Sequence, residues 1–210
     1  MSQRPPALRT PWAIQQLLDD TPYSTDPFYR CPRRVLAERR AHCVDGALFA
    51  AWALERLGHR PLVLDMRAVR DDDHVIALFR RGRDWGAIAK SNVVGLRWRE
   101  PIYRSVRELV MSYFEQYYNT DGEKTLRSYS DPVDLRRFDA TSWRTRDDGI
   151  ESVIIPALDR ARHRELLSPA AVRALAPVDE RSYRAGLLGA DAAGLFAADR
   201  LKIAVRGCGR

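Results

Sequence analysis

The run AHCVDGALFAAWALERLG at residues 41–58 decides the fold. From Val44 to Leu57 it reads as a helix, and Gly58 stands where a left-handed C-cap belongs. Ala47, Ala50, Ala51 and Ala53 keep one side of that helix slim, so it can lie close against a sheet, while Phe49, Trp52, Leu54 and Leu57 supply bulk. Cys43 falls in the first turn. Unpaired N–H groups and the positive end of the helix dipole favour thiolate over thiol there, which predicts a reactive sulfur. A small, buried core residue is the alternative reading of the same position.

Three predicted strands follow at once: Pro61 to Met66, His74 to Phe79, and Trp85 to Ala89, with a hairpin turn at Gly82. A Cys-bearing helix running into three antiparallel strands predicts an α+β domain with the helix packed on the sheet. His74 leads the second strand, where a rigid element would hold its imidazole as a general base. The aspartates at 71–73 read as a solvated loop whose charge favours imidazolium if it folds close. The third strand ends in Lys90, Ser91 and Asn92. A Cys-His pair is commonly completed by Asn or Asp orienting the ring, which makes Asn92 the candidate third residue; a turn residue is its plainer reading.

This order of helix-borne Cys, strand, His-led strand and Trp-containing strand resembles the core of the transglutaminase-like superfamily, over roughly residues 40–92. The resemblance implies a papain-type layout, with Cys43 as nucleophile, His74 as base and a third residue at the end of the Trp85 strand. It implies a thiol enzyme performing acyl transfer or amide hydrolysis through a Cys43 thioester, on a peptide, protein or small amide, without a cofactor. The chain departs from the family pattern in one respect. Members carry Asp a few positions beyond the Trp, where this sequence has Ile88, Ala89 and Lys90. Asn92 or Ser91 substitutes, the orienting group comes from elsewhere, or the fold serves as a catalytically inactive interaction module.

The flanks read as helices. Thr10 and Pro11 start one that carries Trp12, Ile14, Leu17 and Leu18, and a short Arg-studded helix follows near 33–40. Ser105 to Glu108 forms an S-x-x-E capping box, with Val106, Leu109, Val110, Tyr113, Phe114 and Tyr117 at helical spacing behind it, predicting a helix to about Asn119 and core packing for its aromatics. Residues 130–145 are turn-rich, a helix disturbed by Pro156 is expected from Ile150, and Ser168-Pro169 and Asp179 cap two more. The expected division is a loose arm at 1–9, a core at 10–130 and a helical extension at 131–210.

With 210 residues and 45% apolar content, one core is the expectation. No apolar run suits a membrane helix, and residues 1–9 lack the apolar centre of a secretory signal, which predicts a cytoplasmic protein. Cys31, Cys43 and Cys208 show neither CxxC spacing nor a disulfide framework. The net charge of +7 is mostly Arg, spread along the chain and interleaved with Asp and Glu, which argues against a nucleic-acid partner. His42, His59, His74 and His163 have no metal-ligand spacing, and phosphate-cradling motifs are absent. His42 points about 100° away from Cys43 on the helix, and His163 is expected on a polar helix face.

Overall fold

The computed structural model describes residues 8–196. Helix α1 (Pro11–Asp19) starts on Thr10, whose side chain accepts the Ala13 N–H, and buries Ile14, Leu17 and Leu18 while Trp12 stays half exposed. Helix α2 (Pro32–Glu38) ends on Arg39 in the left-handed region. Helix α3 (Cys43–Arg56) buries all four expected alanines, and Gly58 takes φ +86°, a conformation only glycine adopts without strain.

Strands β1 (Leu62–Ala68), β2 (His74–Arg81) and β3 (Asp84–Ile88) pair antiparallel, with Gly82 in the hairpin at φ +60°. The sheet is larger than those three. It adds β4 (Arg99–Tyr103), β5 (Leu126–Ser130), β6 (Val133–Asp134) and β7 (His163–Glu165) in the order β4-β3-β2-β1-β5-β7, with β6 pairing the start of β1. The architecture is mixed helix and antiparallel sheet. Because β6 and β7 belong to this sheet, residues beyond 130 build the core as well as helices.

Alternation along the strands divides the interior in two. Val63, Val75, Ala77 and Phe79 face α1, α2 and α3; Leu64, Met66, Ile76 and Leu78 face the layer built from Leu109, Val110, Tyr113 and Tyr117. Both faces are covered, so β1 and β2 read as nearly continuous apolar runs rather than as alternating ones.

Helix α4 (Val106–Met111) begins on Ser105 as expected but stops well before Asn119. The chain tightens into a 3-10 turn at Phe114–Gln116, which redirects Tyr117 so that its hydroxyl donates to the Asp72 carbonyl at 2.7 Å while its own carbonyl accepts the Thr125 N–H. The aromatics are core residues at this spacing all the same. Near Pro156 the expected disturbance is a π-helical turn (Ile150–Ile154) leading into α5 (Ile155–Arg160). Ser168 and Asp179 cap α6 (Pro169–Arg173) and α7 (Glu180–Gly186).

Two devices hold α3 and α1 to the end of β3. Gln15, fully buried, donates to the Ala89 carbonyl and accepts its N–H, both at 3.0 Å. Lys90 reaches carbonyls at and just past the C-terminal end of α1, donating to Leu18 O at 2.8 Å and to Thr21 O. Gly46 lies directly on the Lys90 stem, where a Cβ would collide with the Lys90 side chain. Gly46→Ala should therefore lower stability by about 1–3 kcal/mol through overpacking, despite the better helix propensity of alanine; urea denaturation showing no loss would refute this close contact.

Candidate active site

The first turn of α3 is locked from both sides. His42 is its N-cap, and its Nδ1 accepts the N–H groups of Val44 at 3.2 Å and Asp45 at 3.4 Å. A nitrogen that accepts is unprotonated, and burial together with the Arg30 charge takes His42 down to about 4, so the ring stays neutral as the cap requires. Its role is structural. The Asp45 carboxylate, with no exposed surface, accepts the N–H of Arg30 at 2.7 Å and of His42 at 3.2 Å, which closes the capping box.

So placed, the Cys43 sulfur lies beside the start of β2, with Sγ 3.9 Å from the Asp73 carbonyl oxygen and the Val75 N–H also directed at it. These residues flank His74. The imidazole itself is buried, 4% exposed, with its Nε2 at 2.9 Å from the Leu96 carbonyl and its ring edge-on to Tyr117. A carbonyl oxygen only accepts, so Nε2 carries the proton and Nδ1 keeps its lone pair. Cys43, His74 and Leu96 line one cavity of about 460 Å³. Among the described residues no hydrogen bond joins Sγ to the ring, so the structure brings thiol and imidazole to a common cavity without linking them.

Their resting charges differ from the expectation drawn from the helix terminus. Burial pushes the Cys43 thiol up to about 12; N–H groups of Val75 and Val44 act the other way, but Asp72 and Asp45 reinforce burial. Desolvation and two nearby carboxylates outweigh the helix dipole. Burial likewise takes His74 down to about 4. The pair therefore rests as neutral thiol and neutral imidazole.

Asn92 lines the cavity but does not stand behind the His74 ring. Its Nδ2 donates to the Asp191 carbonyl and its Oδ1 accepts the Asp191 N–H, both at 2.8 Å, so the amide is spent on the C-terminal segment. Ser91 accepts the Val93 N–H at 3.0 Å. The group that orients His74 is the Leu96 carbonyl, in the 3-10 turn Val94–Leu96. Nothing in a sequence marks a backbone oxygen for such a role.

His163 is on β7 rather than on a polar helix. Its Nδ1 faces the Ala161 carbonyl at 2.8 Å and its Nε2 the Asp65 carboxylate at 3.1 Å. Asp65, pushed up to about 6 by burial, lines the cavity along with Asp26, Asp71, Asp72, Asp73 and Asp159, and no Lys or Arg is among the lining residues. Asp71, also raised by burial to about 6, accepts from the Thr125 hydroxyl at 2.6 Å. Among the described residues, no group of three or more His, Cys, Asp or Glu side chains is arranged to hold a metal ion, and no helix is long and apolar enough to cross a membrane.

Compared with known proteins, the chain matches no family model and no curated sequence. The geometry alone carries the functional argument. It leads to a spectroscopic expectation: long-range proton–nitrogen NMR should show His74 as the Nε2–H tautomer, neutral from pH 8 to below 5, because its protonation waits for pH near 4. A ring titrating near 6.5 would contradict the burial and the Leu96 contact.

Proposed function

We propose that this chain is a transglutaminase-like cysteine enzyme that performs acyl transfer or amide hydrolysis through a thioester on Cys43. The observation that carries the reading is the hydrogen bond from His74 Nε2 to Leu96 O, which leaves Nδ1 as the basic nitrogen in the cavity that holds the Cys43 thiol. In papain-type chemistry a side-chain amide or carboxylate fixes the tautomer; here a backbone carbonyl does so.

In the proposed reaction, Nδ1 takes the thiol proton as sulfur adds to the substrate carbonyl carbon. The same proton then passes to the leaving amine, the carbon–nitrogen bond breaks, and a thioester remains. Water or an amine, deprotonated by the same nitrogen, attacks the thioester and returns the thiol. The Cys43 N–H, at the first position of α3 where no intrahelical acceptor precedes it, supports the reading as a donor for the developing oxyanion. The Val44 N–H is already given to His42. The carboxylates around the cavity weigh against acidic substrates and for neutral or cationic ones.

The same fold used as a catalytically inactive interaction module is the rival reading, and the neutral resting thiol is what favours it. The test is to offer protein glutamines together with a fluorescent primary amine, and in parallel a panel of peptide amides, following amine incorporation, amide cleavage and the acyl-enzyme mass. The enzyme reading expects a thioester adduct on Cys43, loss of roughly a thousandfold or more in turnover for Cys43→Ala, and a fall of about 10²–10⁴ for His74→Ala. Turnover surviving Cys43→Ala would exclude the thioester route, and the absence of any adduct or turnover across the panel would favour the module.

A further inference from the structure

The same cavity has one wall made by a segment that the thiol chemistry leaves unexplained. After α7, Leu187, Ala193, Gly194, Leu195 and Phe196 line the cavity that Cys43 also lines. This segment adds nothing to either core: α6 and the 3-10 turn Ala192–Gly194 bury no residue, α7 buries only Gly186, and Leu188 is 76% exposed. Discrete polar contacts hold it instead. The Tyr118 hydroxyl donates to the Ser182 carbonyl at 2.9 Å, the Tyr183 hydroxyl to Thr120 O at 3.1 Å, and Asn92 grips both backbone groups of Asp191.

Within residues 187–196 the fit is close at Gly194. A Cβ there would come within 2.9 Å of the Tyr23 ring and 3.0 Å of the Asn92 amide. Tyr23 is itself a cavity residue, near enough to Cys43 that a thiolate there would oppose ionisation of its hydroxyl. Cys43, Tyr23, Asn92 and residues of 187–196 thus share one cavity, with Gly194 seated against Tyr23 and Asn92.

We propose that residues 187–196 form a strap that controls access to Cys43, with the Asn92 amide as its latch on the Asp191 backbone. The inference rests on Cys43 being the functional group of the cavity. Substrate reaches the thiol when the strap lifts, and the strap can lift without unfolding the domain because it carries no core residue.

Two full-length variants test this. Asn92→Ala removes both latch hydrogen bonds, and Gly194→Val wedges the strap away from Tyr23 without touching the core. Alkylation by N-ethylmaleimide, read peptide by peptide, reports access to Cys43, and Cys31, 3% exposed in the main core, is the internal reference for global opening. The expected result is a rise of roughly ten- to a hundredfold in the Cys43 rate in Asn92→Ala, the factor represented by two ordinary hydrogen bonds, a rise in Gly194→Val, and an unchanged Cys31 rate in both. Unchanged Cys43 rates in both variants, or Cys31 rising in step with Cys43, overturn the strap. Alkylation needs no acyl chemistry, so this outcome is independent of whether Cys43 turns over a substrate.

Discussion

The buried carboxylate of Asp45 is the constraint on which the site depends. It sits in the first turn of α3 with no exposed surface, and it binds the chain entering α2 through the Arg30 N–H and the start of its own helix through the His42 N–H. Burial alone would push such a group towards its neutral form, and it does raise Asp45 to about 6; the two N–H groups and the Arg30 charge hold it against that push. Truncating it would leave two buried N–H donors unpaired. The direction of the first turn, and with it the position of the Cys43 sulfur, follows from this one group.

The place where the sulfur goes is set by a strand that ends early. The last β3 residue, Ile88, pairs with Ala77, so the N-terminal end of β2 has no β3 neighbour. Past Ile88 the chain is drawn off towards α1 by Gln15 and Lys90. Along that uncovered edge the Asp73 carbonyl and Val75 N–H are free for Cys43, and His74 between them is directed at Leu96 and Tyr117. A sheet opened at one edge by an apolar-face amide and a buried amine is what produces the cleft.

Much of this was legible in local pattern, for physical reasons. The small-residue face of α3, the Thr10, Ser105, Ser168 and Asp179 caps and the Gly82 hairpin are decided by neighbours within a few residues, and each stands where its sequence places it. What pattern could not supply depends on distant partners. β5 and β7 are half-polar segments that become strands only because β1 offers an edge to β5 and β5 then offers one to β7, and His163 joins Asp65 across 98 positions. At the site, proximity of Cys43 and His74 to a common cavity followed from element order, whereas the partner of Asn92 lies 99 residues away and the partner of His74 is a backbone atom. The sign of the thiol shift was hidden for the same reason: the dipole is local to α3, but the burial and the Asp72 charge that outweigh it come from elsewhere in the fold.

A neutral resting pair is compatible with catalysis because the costs that keep each group neutral are not the costs of moving a proton between them. Burial opposes a charge on the thiol alone and on the imidazole alone. Transfer creates both charges at once, close together in a poorly solvated space, where their attraction offsets much of the desolvation. Charged neighbours act on both members of that pair, Asp72 and Asp45 opposing the thiolate and Arg99 opposing the imidazolium. Attack on a carbonyl relieves the first of these at the sulfur, whose charge passes to the oxyanion as the bond forms. A site of this kind would keep its sulfur slow towards small oxidants and electrophiles and raise its nucleophilicity with a carbonyl seated beside it, which is the behaviour that a strap along the cavity would reinforce.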